Sequence, residues 1–315
     1  MAAVGPPRRD RRRASVEAAV SALLWASYYV FVLWLAPGTG TAAILVYPFA
    51  IGGLAFVAVA AAEGGLRTWA VLWADPASYL RIALVTGMQV ATVEVTLQAG
   101  PIDSALLALI GDVIMVPVLL MAVFGEDRAL GRSPWFLGGV TACLAGGSLT
   151  IVAGGAVEGI AGATLVWAPL LVTTIGGYFL LTARAGRRAS LGALNGQAFL
   201  GAAAAVLALA PVLPGGASGL GIPSASSAAL LVILGLTSFL AAPLLYFVAA
   251  RRGSLVPVAM WMSLIPAFTA LLTFLAFGVA PVPLAAAGVP IAIAGAFLAL
   301  RGERAVEGSA AGPAQ

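Results

Sequence analysis

The sequence predicts an all-α membrane protein in which ten transmembrane helices form two inverted repeats of five. Three observations carry this. Of the 315 residues 62% are apolar and only 9% are charged, whereas a soluble domain carries about a quarter charged residues. Apolar runs of about 20 residues, enough for a helix to cross the hydrocarbon core, recur from one end of the chain to the other. The basic residues, 16 in number and all arginine, fall on a single side once ten such runs are counted. A water-soluble enzyme is excluded by the first observation alone.

The runs of the first half are residues 16–36, 41–62, 82–99, 102–124 and 135–152; those of the second are 160–182, 191–212, 228–250, 255–277 and 282–300. None shows the apolar-polar alternation of a barrel strand. Short loops rich in arginine stay on the cytoplasmic side. With the N-terminal cluster Arg8, Arg9, Arg11, Arg12 and Arg13 inside, the pairs Arg67 and Arg81, Arg128 and Arg132, Arg251 and Arg252, and Arg301 and Arg304 also fall inside, with Arg184, Arg187 and Arg188. One span more or fewer would break this pattern. Both termini are therefore expected in the cytoplasm, with the chain multi-pass in the inner cell membrane.

The organisation follows: a basic tail over 1–15, one repeat over 16–154, the second over 155–301, and a polar tail over 302–315 expected to be disordered. Residues 16–36 read as a retained helix, being long for a signal peptide and holding Trp25, Tyr28, Tyr29 and Trp34. Residues 63–81, with Trp69, Trp73 and Tyr79 among polar residues, are expected along the cytoplasmic interface.

Absent residues narrow the chemistry. The chain has no histidine and no lysine, and Cys143 is its one cysteine. No His/Cys zinc site, haem-histidine ligation, Ser-His triad or internal disulfide can be assembled. No GxxxxGK phosphate loop is present. Neither a cofactor nor a metal is expected, nor is nucleic acid as a partner; the expected partners are the lipid bilayer and a small-molecule substrate, with the chain a monomer or homodimer.

An internal repeat adds architecture to the count. One constant offset matches Gly100 with Gly253, Phe124 with Phe277 and Gly125 with Gly278; a slightly smaller one aligns Gly139 and Gly146 with Gly288 and Gly295. Halves of five helices have opposite orientations, and inverted repeats recur in secondary transporters, with the substrate site near the midplane.

The run LLWASYYVFV in the first span, SALLALI and FGEDRALG at the two ends of the fourth, PAFTALL in the ninth and the glycine-spaced fifth and tenth spans are similar to the drug/metabolite transporter superfamily, in its ten-helix EamA-like branch. The resemblance covers residues 16 to 301 and implies export of small metabolites, often amino acids or toxic compounds. It implies an acidic end to the fourth span, met by Glu126 in a structural role beside nearby arginines, and a proline mid-helix in both repeats, met in the second by Pro266. Two positions depart: Val279 follows Gly278 where the family tends to have glutamate, and Val113 stands opposite Pro266, with Pro117 one turn later.

A charged residue at the bilayer centre costs at least about 2.5 kcal/mol, so buried acids are functional candidates. Asp112 lies near the middle of the fourth span and Glu94 in the outer part of the third. Gly87, Ala91, Glu94 and Gln98 share one helix face, as do Ala105, Ala108 and Asp112. These small-residue stripes suit a neighbouring helix or a cavity. The plainer alternative is that each acid is neutral and hydrogen-bonded, joining helices. The expected lack of an arginine inside the spans favours a mobile partner, a proton, an ion or a substrate amine. Trp25, Tyr28, Trp167, Tyr178, Tyr246 and Trp261 could line a cavity, with core packing the alternative; Asn195 and Gln197 are expected to cap or anchor the seventh span.

The expected function is a proton-coupled secondary transporter exporting amino acids or other amine-bearing or neutral solutes, drugs among them. An uptake carrier of the same fold is the alternative. From other classes come an intramembrane aspartyl protease and a non-transporting scaffold. Phosphorylated substrates are disfavoured, because no base is expected within the spans to meet their charge.

Overall fold

In the computed structural model, residues 8–123, 129–153, 162–186, 189–221, 224–252, 255–280 and 283–310 are described, and no strand occurs among them. The chain runs through α1 (Arg8–Leu35), α2 (Thr41–Ala62), α3 (Leu66–Leu72), α4 (Pro76–Ala99) and α5 (Pro101–Ile110). A π-helical turn (Gly111–Met115) leads into α6 (Val116–Ala122), followed by α7 (Pro134–Ala153), α8 (Gly162–Gly186) and α9 (Leu191–Leu209). Next come α10 (Ala225–Leu236), a second π-helical turn (Thr237–Ala241), α11 (Ala242–Arg252), α12 (Leu255–Trp261), a 3-10 turn (Met262–Leu264), α13 (Ile265–Phe277) and α14 (Pro283–Ala310).

Among the described residues, seven helical segments are long and apolar enough to cross a membrane: Arg12–Leu35, Thr41–Ala62, Pro76–Ala99, Val166–Gly186, Leu191–Val212, Ala225–Arg252 and Val258–Phe277. Pro101–Ile110 and Ala286–Gly302 are shorter apolar helices. The C-terminal segment expected to be disordered is helical as far as Ala310. Glu126, expected to pair with arginines, lies outside the described residues.

The apolar run of the third span placed its start at residue 82, but α4 begins at Pro76. Asp75 caps it, its carboxylate accepting from the Ala77 N–H at 3.0 Å. Pro76, with its fixed φ and no N–H to satisfy, opens the first turn. Arg81 therefore lies within the helix, and the bundle leaves it only 4% exposed, with Nη2 donating to Ser78 Oγ at 2.7 Å. This corrects the expectation of spans without arginine. The segment before it is partly the short helix α3, whose Trp69 ring is 6.0 Å from that of Trp73.

Breaks in the α-helical ladder fall just ahead of prolines. Pro117, Pro243 and Pro266 have no N–H, so each leaves a carbonyl one turn back without its usual partner. The π-helical turns at 111–115 and 237–241 and the 3-10 turn at 262–264 lie there. Such local rewinding is a common site of bending.

Two packing regimes hold the helices together. Along α7 and α14 the backbones touch. A Cβ on Gly139 would lie 2.5 Å from Gly295 O, and one on Gly146 would lie 2.6 Å from Gly288 O. This close approach of small residues is how helices associate where lipid removes the hydrophobic drive. Where α2 meets α9 and the second π-helical turn, rings fill the space instead: Phe49 and Phe239 are 4.9 Å apart and Phe56 and Phe199 are 5.7 Å apart.

Candidate functional site: a buried carboxyl in an aromatic chamber

Helical spacing brings six elements to one chamber. Trp25, Tyr28 and Tyr29 come from α1, and Met88, Gln89 and Thr92 from one face of α4. Ala108 and Asp112, four residues apart, come from α5 and the π-helical turn, Ile175 and Phe179 at the same spacing from α8, and Ile265 from α13. The free space is about 30 Å³, room for a water molecule or two. The free space beside the polar groups is therefore narrow.

Asp112 is 1% exposed. Its Oδ1 has no hydrogen-bond partner, and neither has the Tyr28 hydroxyl nor Gln89 Oε1 in the same wall. The phenols of Tyr29 and Tyr246 lie within electrostatic reach of the carboxyl. Each buried polar atom left unpaired costs about 1–3 kcal/mol, so three around one small space are a concentrated expense. Among the chamber-lining residues there is one acid and no base.

Close packing sets where Asp112 stands. A Cβ on the preceding Gly111 would lie 1.8 Å from Ile175 Cγ2, and one on Gly176 would lie 2.5 Å from Met115 Cβ. Paired glycines thus let α8 press onto the turn that carries the carboxyl.

Glu94, the second acid singled out from the sequence, is placed differently. Glu94 is 2% exposed, but it accepts from Thr41 Oγ1 at 2.8 Å on Oε1 and from Gln98 Nε2 at 3.2 Å on Oε2. It stands two residues beyond Thr92, about 200° round the helix, and joins α4 to the start of α2. Neither Glu94 nor Gln98 lines the chamber.

The aromatic candidates divide likewise. Trp25 and Tyr28 line the chamber; Tyr246 stands behind them, its ring 5.5 Å from Trp25 and 4.7 Å from Phe179. Trp261 is directed to α14, its ring 5.9 Å from Phe297. Pro266 is buried beside the chamber residue Ile265. Tyr178 donates to Asn195 Oδ1 at 2.8 Å, tying α8 to α9, while Ser190 rather than Asn195 caps α9.

Tyr29, Met88, Gln89, Thr92, Ile175, Phe179 and Ile265 were missed by sequence reasoning. For α4 a signal existed: Gln89, Thr92 and Thr96 form a polar face beside the stripe of small residues that drew attention to Glu94. Asp103, 7% exposed, was also missed; it lies in the first turn of α5, where the helix dipole favours a carboxylate. Among the described residues no group of three or more His, Cys, Asp or Glu could hold a metal ion.

No family model and no curated protein matches the chain. A solved crystal structure, described only as that of a protein, is similar to it with a TM-score of 0.70 and 21% identity, over 92% of this chain and 98% of that one. The likeness extends over nearly the whole of both chains and, at that identity, shows a shared helical fold alone.

Proposed function

We propose that the chain is a secondary active transporter of the drug/metabolite type, exporting a small amine-bearing or neutral solute in exchange for protons, with Asp112 as the coupling group. The observation that carries this reading is the Asp112 carboxyl, buried without a partner for Oδ1 in a narrow chamber whose lining has no base. Such a group holds a proton when the chamber is empty of cations. An arriving amine favours its ionised form and releases the proton. Competition for one site, available alternately to the two sides, is sufficient for exchange.

The ten-span, inverted-repeat arrangement belongs to the same proposal, and helix neighbours support it. If α1 corresponds to α8, α2 to α9, α4 to the α10–α11 segment, α5–α6 to α12–α13 and α7 to α14, exchanging the halves returns the principal contacts. The packing of α1 on α11 becomes that of α8 on α4, and that of α1 on α13 becomes that of α8 on α5 and α6. The packing of α2 on α9, of α7 on α14 and of α5 on α13 maps onto itself. The arginine distribution supports an inner-membrane orientation with both termini cytoplasmic.

An aspartyl protease needs two carboxyls sharing a proton, and Glu94 is committed to Thr41 and Gln98. A scaffold leaves the unpartnered Asp112 without a use.

The test is reconstitution into vesicles with an imposed pH difference and a panel of amines, amino acids and sugar phosphates. Protein-dependent accumulation of an amine-bearing or neutral solute is expected, together with none of a sugar phosphate. Saturable sugar-phosphate flux, or no pH-driven flux of any amine or neutral solute, would overturn the reading.

A further inference from the structure

A second space lies beneath the Asp112 chamber. It is an open cleft of about 900 Å³ at the end of the bundle where α2 and α8 finish and α9 begins, lined by Glu63, Thr68, Ser190, Phe247 and Arg251 among others. Phe179 faces the chamber, and Ala183, one turn further along α8, faces the cleft. The Phe247 ring on the cleft side is 5.9 Å from the Phe179 ring on the chamber side. A layer of rings thus separates the two spaces, and α11 supplies Tyr246 and Phe247 to it.

The two ends of α11 are built for different tasks. At its start are the π-helical turn at 237–241 and Pro243, where the hydrogen-bond ladder is already broken and bending is easiest. At its finish are two latches. Arg251 donates to the carbonyls of Gly186, the last residue of α8, and of Ala189, just before α9. Arg252 pairs with Glu17 of α1, which Arg13 also approaches at 3.3 Å. The latch on α1 is partly exposed, with Arg252 at 33% and Glu17 at 13%, and such pairs are individually weak enough to break and reform. The facing wall is held in place, since Tyr178 of α8 is bonded to Asn195 of α9.

We propose that α11 is the gate between the cleft and the Asp112 chamber, swinging on its π-helical turn when the arginine latches open and carrying Tyr246 and Phe247 out of the path of a solute. The proposal rests on the transport reading of Asp112 for its purpose. Its test reads accessibility and requires no solute, so the two ideas fail separately.

In a Cys143→Ala background, Ala108→Cys places a thiol in the chamber and Thr68→Cys places one in the cleft. Vesicles of both orientations are treated with an impermeant methanethiosulfonate bearing a trimethylammonium group. Reaction of Thr68→Cys identifies the vesicles whose cleft faces the reagent. In those, Ala108→Cys should react slowly. Adding Phe247→Ala, or Glu17→Ala together with Arg252→Ala, should speed the reaction at least about tenfold as the open population rises. Vesicles of the opposite orientation should show no change, and Phe247→Tyr, which keeps a ring, should stay slow. Unchanged rates in both gate variants, or an equal rise from both sides as general unfolding would produce, overturn the gate.

Discussion

Asp112 and Glu94 are both carboxyls buried to 2% exposure or less in the interior of an apolar bundle, yet they occupy opposite kinds of environment. Glu94 has a donor for each oxygen, one from the start of α2 and one from its own helix a turn away. Asp112 sits on a π-helical turn with no hydrogen-bond partner for Oδ1, in a wall that also holds an unpartnered tyrosine hydroxyl and an unpartnered glutamine oxygen. Burial is therefore a poor guide to function on its own. The informative quantity is what burial leaves unsatisfied, because a satisfied carboxyl stabilises a helix contact and an unsatisfied one retains capacity for a proton or a cation.

The largest effect is expected from Asp112→Asn. The amide keeps the shape and cannot titrate, so the protein should fold while pH-driven accumulation falls to the level of protein-free vesicles. Uptake against a gradient by this variant would end the distinction between the two acids.

Next is Gly111→Ala. The added Cβ meets Ile175 Cγ2 at 1.8 Å, and overpacking of this kind costs about 1–3 kcal/mol. It should lower both the melting temperature and the transport rate, by displacing the turn that carries the carboxyl. Gly147→Ala is the control, since its Cβ would stand 3.6 Å from Ile110 Cδ1 in ordinary contact; it should be nearly silent in both measurements. Equal behaviour of the two variants would show that the Gly111 contact does not position Asp112.

The smallest functional effect is expected at the Glu94 contact. Thr41→Val removes the donor to Oε1, which costs about 1–3 kcal/mol of stability. Glu94→Gln keeps an acceptor for Thr41 but sets one amide group against that of Gln98. Both should lower the melting temperature and leave the pH dependence of transport as it is in the parent. Loss of coupling in Glu94→Gln with an unchanged melting temperature would place Glu94 beside Asp112 in function.

Most element boundaries were legible because apolar runs and helix ends coincide in a membrane protein. The third span shows where hydropathy misleads. Its apolar run begins after Arg81, but the Asp75-Pro76 cap starts the helix earlier, and a capping signal outweighs a hydropathy edge because it satisfies free backbone N–H groups. The stripe that contains Glu94 was legible as a packing face, and it does pack. What the stripe could not say is that Thr41, distant in sequence, waits at the other side. Asp112 was legible as a mid-span acid, whereas its π-helical turn was not: the turn lies just ahead of Pro117, but Pro48, Pro169 and Pro290 sit inside unbroken α-helices, so a missing N–H alone does not decide it.

Composition and period by themselves determined that this chain is a set of apolar helices, where most of them end, and that Asp112 stands deep within one of them. Those properties depend on each segment's own residues and on the thickness of hydrocarbon they must cross. Only the tertiary structure decided which acid is satisfied, that Arg81 is drawn inside, which rings close the chamber and which arginines clasp α11 to its neighbours. A helical repeat states which side chains share a face, and the partner opposite that face comes from another part of the chain, at a distance and angle that packing alone selects.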